Sequence, residues 1–287
     1  MFKKNKLGSV FSGAYIFVVM LLLYAPILVL IVFSFNESGN LSSFSGFSLK
    51  WYRELFRDST AFTALKNTLL LAVESSALAT VIGTFAALGI YRMRNKFVKT
   101  ALSSVTNIPM MNPDIVTGVS MMLFFVAVAG IFNLPEALGR TTMLIAHTTF
   151  NLPYVILSVL PRFKQMDKSL TEAALDLGCT PARAFFKVEL PFIVPGIVSG
   201  AMLGFTLSLD DFVISHFVSS PDFQTLPLYI YNQTAHNVKF SMYALCSLII
   251  AAILFLMLTI NFIGARSDEK RMPSKAVKTE RRSLAKH

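Results

Sequence analysis

Six long, mostly apolar stretches set the limits on how this chain can fold. They span residues 11–35, 66–91, 101–131, 142–160, 192–218 and 242–264. A helix that crosses a lipid bilayer needs about 20 such residues, and a helix satisfies its own backbone hydrogen bonds where no water is present. Charged residues make up 15% of the chain, which is too few to cover the surface of a soluble domain. The sequence therefore predicts an all-α membrane protein with six transmembrane helices.

The positions of Lys and Arg predict the orientation of these helices. With the N-terminus in the cytoplasm, 20 of the 26 basic residues fall on the cytoplasmic side, in agreement with the positive-inside rule. Both termini are then cytoplasmic. We predict a cytoplasmic N-terminus (1–10), a six-helix transmembrane domain (11–264) containing a cytoplasmic loop at about 162–191, and a basic, disordered tail (265–287). No cleavage-site pattern follows the first apolar stretch, which we interpret as a retained span.

The sequence carries no pattern typical of an enzyme or a metal site. It has no G-x-x-x-x-G-K-[ST] phosphate-binding loop, and its four His and two Cys residues are scattered. The net charge of +10 comes from the connections and the tail, so it does not indicate nucleic acid as a partner. We expect no catalytic residue, no metal ion and no cofactor in this chain. Any ATP that drives its activity would be bound by a partner ATPase.

Four acidic residues fall within the predicted spans, against one basic residue, Lys66, at the end of span two. They are Glu74, Asp114, Asp210 and Asp211. A buried carboxylate is unfavourable unless it is paired or faces water. Two explanations therefore stay open: a water-lined path that attracts cations, or pairing and protonation of the individual acids. For Glu74 we favour pairing with a neighbouring helix.

Three of these acids and one histidine differ in their predicted position on the helices. Asp210 and Asp211 differ by about 100° around a helix, so one of them can point straight into a path while the other hydrogen-bonds sideways. Asp114 follows Asn112–Pro113, which predicts a broken helix that restarts with Asn112 as its N-cap. Asp114 either contacts a substrate or complements the helix N-terminus. His147 is either a packing residue or a proton relay.

Three glycines recur every four residues in the fifth span, at Gly196, Gly200 and Gly204. Residues four apart lie on one face of a helix, so these glycines form a smooth face that allows close helix packing. The contact is either within this chain or with a second subunit.

The first part of the 162–191 loop predicts a short helix. Ser169 and Glu172 have the spacing of a capping box, so the helix should begin at about Leu170. Gly178 suits the left-handed residue that ends it.

The second part of this loop predicts another short helix. Thr180 and Pro181 are typical of an N-cap and a first-turn proline, and Pro191 should end the helix before the fifth span. Phe185 and Phe186 either dock against a partner protein or pack back on the helix bundle.

The loop resembles the EAA loop of binding-protein-dependent ABC importer permeases through six residues: Glu172, Ala173, Ala174, Gly178, Leu190 and Pro191. The resemblance implies a type I ABC importer permease (MetI-like) fold. It also implies that the loop forms a coupling helix in a groove of the ATPase subunit, with these six residues involved in ATPase coupling.

Further motifs narrow the resemblance. Together they resemble the second permease subunit of spermidine/putrescine importers, over about residues 15–265: Leu23-Tyr-Ala-Pro, Ser34-Phe-Asn, Lys50-Trp-Tyr, Asn112-Pro-Asp-Ile-Val, Phe205-Thr-Leu-Ser-Leu-Asp-Asp and Thr225-Leu-Pro. The resemblance implies a substrate path through Trp51, Asp114, Ser208, Asp210 and Asp211. Glu172 corresponds to a recognition residue of that family, but its predicted cytoplasmic position favours coupling.

The resemblance also implies the partners. They are ATPase subunits, a second homologous permease, an extracytoplasmic polyamine-binding protein and membrane lipid, in the bacterial inner membrane and without nucleic acid. Spaced carboxylates suit polycations, and the Trp51 ring could hold an ammonium by cation–π attraction, or it could anchor the chain at the membrane interface. Two alternatives stay open: the same class of importer carrying another solute such as ferric ion, and an ion-coupled secondary carrier.

Overall fold

The computed structural model describes residues 6–39, 43–236, 239–252 and 254–255. Its helices are α1 (Lys6–Phe33), α2 (Lys50–Leu55), α3 (Ser59–Arg92), α4 (Lys96–Met111), α5 (Asp114–Phe132), α6 (Arg140–Gln165), α7 (Lys168–Asp176), α8 (Pro181–Ala184), α9 (Leu190–Asp210), α10 (Val213–Val218), α11 (Leu226–His236) and α12 (Phe240–Ala252). A π-helical turn, Phe185–Glu189, joins α8 to α9. In the described part of the chain, β-structure is limited to two isolated bridges. The all-α prediction is confirmed.

Five helical stretches are long and apolar enough to cross a membrane. They are Gly13–Phe33, Ser59–Arg92, Asp114–Phe132, Arg140–Gln165 and Pro181–Asp210. They fall in five of the six predicted spans. The predicted sixth span, 242–264, contains the shorter apolar helix α12, and its remainder lies largely outside the described residues. The predicted tail at 265–287 lies wholly outside them.

The chain divides into two compact units. One comprises Met1–Asp58 with Gln233–His287, as far as these are described, and the other comprises Ser59–Asn232. The second unit is built around α3, α6 and α9, whose buried side chains include Ala79, Val155, Val159 and Phe163. This three-helix core carries Ser208 and Asp210 near the end of α9.

The glycines of α9 explain how closely this core packs. A Cβ atom on Gly196 would lie 2.8 Å from the carbonyl oxygen of Ser158, and one on Gly200 would lie 3.1 Å from the Cα atom of Val155. Gly204 faces the side chain of Asn151. All three neighbours belong to α6. The predicted close contact is confirmed, and it is made within this chain.

The predicted third span is broken, as the Asn112–Pro113 pair indicated. Asn112 ends α4 in an extended conformation, which is the conformation that a following proline favours. The prediction that Asn112 caps the next helix is wrong. Pro113 stands at the N-cap of α5, and its carbonyl oxygen accepts hydrogen bonds from the amides of Val116 and Thr117.

The fifth span was predicted as one continuous helix over 192–218, and this prediction is wrong, because the helix is broken. Helix α9 ends at Asp210, and α10 begins at Val213. Asp211 is extended, with φ −63° and ψ 122°. Its carboxylate accepts hydrogen bonds from the amides of Ile214 and Ser215, 3.2 and 2.8 Å away. An Asp side chain that satisfies the free amides of a first helical turn stabilises a new helix start, and this separates α10 from α9.

The 162–191 loop contains the predicted glycine turn. Gly178 has φ +82° and follows α7. The predicted capping box is wrong, because the N-cap of α7 is Asp167, whose carboxylate accepts from the amide of Ser169 at 3.0 Å. This hydrogen bond lowers the pKa of Asp167 below its usual value. Met166 is already extended, so the helix begins at Lys168, two residues earlier than predicted.

The second helix of the loop begins as predicted and ends differently. Thr180 caps it by accepting from the amide of Arg183, with Pro181 in the first turn. Pro191 does not end it, since the helix continues to Asp210. A π turn stands directly before this proline: the amide of Leu190 donates to the carbonyl of Phe185, five residues back.

Candidate functional site

A network of buried polar side chains lies where α3, α6, α9 and α10 meet. His147 of α6 is its centre: Nδ1 lies 2.7 Å from Oγ of Ser208, and Nε2 lies 3.2 Å from Oγ of Ser215. Ser208 in turn lies 3.0 Å from Oγ of Ser75 on α3. These four residues are at most 2% exposed. Buried polar groups are stable when each has a partner, and this network supplies one to every member.

Asp211 joins the network from the break between α9 and α10. Its Oδ2 atom lies 3.5 Å from Nε2 of His147, and its side chain is 8% exposed. The same carboxylate caps α10. Asp210, by contrast, is exposed at the last residue of α9. The two neighbouring carboxylates therefore point differently, because the chain leaves the helix between them, and Asp210 is the exposed one.

One arrangement of protons fits the three hydrogen bonds between these side chains. A carboxylate accepts hydrogen bonds, so the nitrogen facing Asp211 carries the hydrogen, and His147 is the Nε2–H tautomer. Nδ1 then accepts from the hydroxyl of Ser208, and the oxygen of Ser208 accepts from the hydroxyl of Ser75. The structure thus places Ser208, one of the predicted substrate-path residues, in a buried structural position.

Asp114 is not part of this network. It is exposed at the first residue of α5, where a negative charge complements the helix N-terminus. Gly118, about 6 Å further along the axis, marks the close contact of α5 with α10, because a Cβ atom there would lie 2.9 Å from the ring of Phe217. Asp114 thus lies about one helical turn from the contact between α5 and α10.

Glu74 is paired, as the sequence predicted. Its Oε1 atom accepts a hydrogen bond from Nη2 of Arg140 at 2.6 Å, between α3 and the start of α6. The pair neutralises one of the four acids of the predicted spans. The remaining exposed acids are Asp114 and Asp210, since Asp211 is held by His147 and by α10.

Trp51 lies in the other compact unit. Its Nε1 atom donates to the carbonyl oxygen of Asn36 at 2.7 Å, and its ring contacts that of Phe240 at a centroid distance of 5.3 Å. The ammonium group of Lys50 lies 4.7 Å from the centre of the Trp51 ring. The ring is therefore fixed at one edge, and its face already accommodates a cation.

The predicted coupling residues form an exposed surface on the 162–191 loop. Glu172, Ala173, Gly178 and Pro191 are exposed, and Ala174 and Leu190 are half-buried. Large apolar side chains lie beside them, with Leu177 86% and Phe186 61% exposed. Phe185, next to Phe186, is buried. The two interpretations of this aromatic pair thus apply to different members: Phe185 packs on the bundle, and Phe186 is open to a partner.

An ion pair that sequence reasoning missed anchors this loop. Nη2 of Arg92, at the end of α3, lies 3.1 and 3.0 Å from the two carboxylate oxygens of Glu189. Glu189 is 2% exposed, and the hydroxyl of Thr171 on α7 also reaches it, at 3.5 Å. A charged residue directly before the apolar start of α9 was an available signal, but its partner lies 97 positions away in the sequence.

The chain belongs to the family of binding-protein-dependent transport system inner membrane components, whose model matches residues 79–267. It is therefore a multi-pass permease subunit of an ABC importer. This confirms the prediction that the chain is a transport subunit and not an enzyme.

Individual relatives cover most of the chain. The putrescine transport system permease protein PotI of Escherichia coli K12 is 37% identical over 250 residues, which is 87% of this chain and 89% of PotI. The spermidine/putrescine transport system permease protein PotC of Haemophilus influenzae is 38% identical over 256 residues, covering 89% of this chain and 97% of that protein. The resemblance predicted from the motifs is thus confirmed.

Solved structures show the same fold at low sequence identity. A bacterial ABC transporter for import of the acidic polysaccharide alginate matches with a TM-score of 0.70 and 13% identity, over 92% of this chain and 98% of that one. The MetNI methionine ABC transporter matches with a TM-score of 0.55 and 20% identity, over 73% of this chain and 95% of that one. The predicted type I importer fold is confirmed.

Proposed function

We propose that this chain is a permease subunit through which an ATP-driven importer takes polyamines, spermidine or putrescine, into the cytoplasm. An external binding protein delivers the polyamine. A second permease completes the path. ATPase subunits dock on the 162–191 loop and bind and hydrolyse the ATP themselves, so this chain holds no cofactor. Both termini are cytoplasmic in this proposal, which places the loop on the ATPase side of the membrane.

The exposed carboxylate of Asp210 is the observation that carries the substrate assignment. The other acids nearby are neutralised or held: Glu74 by Arg140, and Asp211 by His147 and α10. A polyamine is a flexible chain with positive charges at intervals, so separate open carboxylates such as Asp114 and Asp210 suit it. The substrates named for PotI and PotC, putrescine and spermidine, support the same assignment.

The exposed apolar surface around Leu177 and Phe186 supports the ATPase assignment. Such side chains on a charged loop are typical of protein docking surfaces. ATP binding would draw the ATPases together and move the 162–191 loop and its counterpart in the second permease. The helix bundle would then open its path outward to the binding protein, and ATP hydrolysis would restore the inward-open state.

Uptake of labelled putrescine and spermidine tests the proposal. The assay uses cells that carry the whole transporter, with native chain, Asp210→Asn and the control Glu74→Gln at equal membrane abundance. Glu74 is a paired acid, so its loss controls for a general effect of removing negative charge. We expect a large fall in uptake for Asp210→Asn and a small one for Glu74→Gln.

Two results would count against the proposal. Native uptake by Asp210→Asn removes Asp210 from the cation path. A native transporter that takes up neither polyamine refutes the substrate class, and ferric ion and other solutes are then tested in the same cells.

A further inference from the structure

His147 is a buried ionisable side chain of the second unit with a hydrogen-bond partner on each ring nitrogen. It extends from α6, and its partners come from three other elements: Ser75 through Ser208 on α3 and α9, and Ser215 on α10. The break residue Asp211 lies 3.5 Å away. A buried imidazole needs a partner on each ring nitrogen, and here the two partners come from different helices, Ser208 of α9 and Ser215 of α10.

The imidazole ring of His147 can form hydrogen bonds with α9 and α10 at the same time. Imidazole offers an acceptor on one edge and a donor on the other, so one side chain bonds Ser208 before the break and Ser215 after it. The amides of Ile214 and Ser215 already hold Asp211 to α10. His147 adds the link from Asp211 and α10 to α6, which those amides do not provide.

This link bears directly on Asp210. Asp210 is the last residue of α9 and the immediate neighbour of Asp211, so its direction depends on the backbone at the break. With Asp211 turned to His147, Asp210 is turned away from the bundle core and is exposed. Without His147, α10 keeps its cap and its apolar contacts with α5 and α6, but it loses the polar link that joins it to Ser208 of α9.

We propose that His147 is a positioning residue for transport: it holds Asp211 and α10 against α6, and so presents Asp210, and not Asp211, to the substrate. This inference rests on the proposed polyamine function. It assigns the two neighbouring carboxylates different tasks, with Asp211 as the structural anchor and Asp210 as the cation contact.

The test measures polyamine uptake and ATP hydrolysis by the reconstituted transporter with His147→Phe or His147→Leu, both of which remove the polar edges. We expect uptake to fall about tenfold or more, because these variants remove two buried hydrogen bonds, to Ser208 and Ser215, and the contact with Asp211. His147→Gln retains a donor and an acceptor and is expected to recover part of it. His216→Gln is the matched control, because His216 lies on α10 but is exposed and contacts only aromatic rings among the described residues.

A double-mutant cycle separates positioning from general damage. If His147 acts through Asp210, then His147→Phe combined with Asp210→Asn is no worse than Asp210→Asn alone. Losses that multiply, or native uptake by His147→Phe, overturn the inference while the proposed function stands. A native transporter without polyamine uptake overturns both.

Ser215→Ala provides a second test if the His147 variants do not reach the membrane. It removes one oxygen atom from the α10 side of the network. We expect a smaller loss of uptake that does not add to that of Asp210→Asn. Native uptake by Ser215→Ala, or a loss that multiplies with Asp210→Asn, overturns the inference.

Discussion

Adding one methyl group at Gly196 is expected to destabilise the core of α3, α6 and α9. A Cβ atom there would lie 2.8 Å from the carbonyl oxygen of Ser158 and 2.7 Å from Cγ of Arg162. The arginine side chain can move aside, but the carbonyl belongs to the backbone of α6. Ordinary contacts begin at 3.4 Å, so α6 and α9 must separate by about 0.6 Å.

The size of this effect follows from two opposing contributions. Forcing extra volume into a packed interface costs about 1–3 kcal/mol, and replacing glycine by alanine in a helix returns about 1 kcal/mol. The net destabilisation of Gly196→Ala is therefore about 0–2 kcal/mol. Gly89→Ala is the matched control, because Gly89 also lies in a helix of this unit and no atom lies within 4 Å of its added Cβ. That variant should gain about 1 kcal/mol from helix propensity alone.

Thermal unfolding of the detergent-solubilised transporter measures both changes. We expect the midpoint to fall by a few degrees for Gly196→Ala and to rise or stay level for Gly89→Ala. A midpoint for Gly196→Ala equal to or above that of Gly89→Ala would refute the reasoning, because it would mean that α6 and α9 are not in the contact that the structure gives them.

Three further predictions concern the 162–191 loop. Arg92→Met leaves the buried carboxylate of Glu189 without its partner and should destabilise the chain by about 2 kcal/mol; this figure is below that for a fully buried pair because the Arg92 side chain is 46% exposed. The double variant Arg92→Met with Glu189→Leu should recover most of that stability, as measured by thermal unfolding. Thr180→Ala should cost about 1 kcal/mol at the start of α8, measured as faster amide hydrogen exchange of Arg183, and Thr180→Asp should not. The pKa of Asp167 is lowered in the folded chain, so its carboxylate stabilises α7 at neutral pH. This stabilisation is lost as the pH falls below the usual pKa near 3.8 and through the lowered pKa. Amide hydrogen exchange in the first turn of α7 should show the loss, and Asp167→Asn should abolish the pH dependence.

Features of the fold that depend on local chemistry were predictable from the sequence. The spans follow from apolar length, the break at Asn112 follows from the proline after it, and the turn at Gly178 follows from the need for a left-handed residue. The cap of α7 was placed wrongly for a local reason as well. Asp167 and Ser169 are both good N-caps, and the choice between them depends on where α6 ends, which hydropathy does not determine to within two residues.

Other features depend on contacts between distant residues, and these were not predictable. The stretch after Asp211 is as apolar as the one before it, so its hydropathy predicts one continuous span. Asp211 breaks this span because its carboxylate caps α10 and faces His147, a residue 64 positions earlier in the chain. The partner of Glu189 likewise required the fold, since Arg92 lies at the far end of another helix.

Helix α9 is bound to α3 near both of its ends, and this limits how α9 can move. At its start, Glu189 is bound to Arg92 of α3, and at its end Ser208 is bound to Ser75 of the same helix. Helix α9 has 21 residues in all and is about 30 Å long. Because α3 holds α9 near both ends and the glycine face holds it against α6, these helices resist sliding past one another. We therefore expect a force applied to the 162–191 loop to move the three-helix core as one body, and the break at Asp211 is the point where that body meets a separately capped helix.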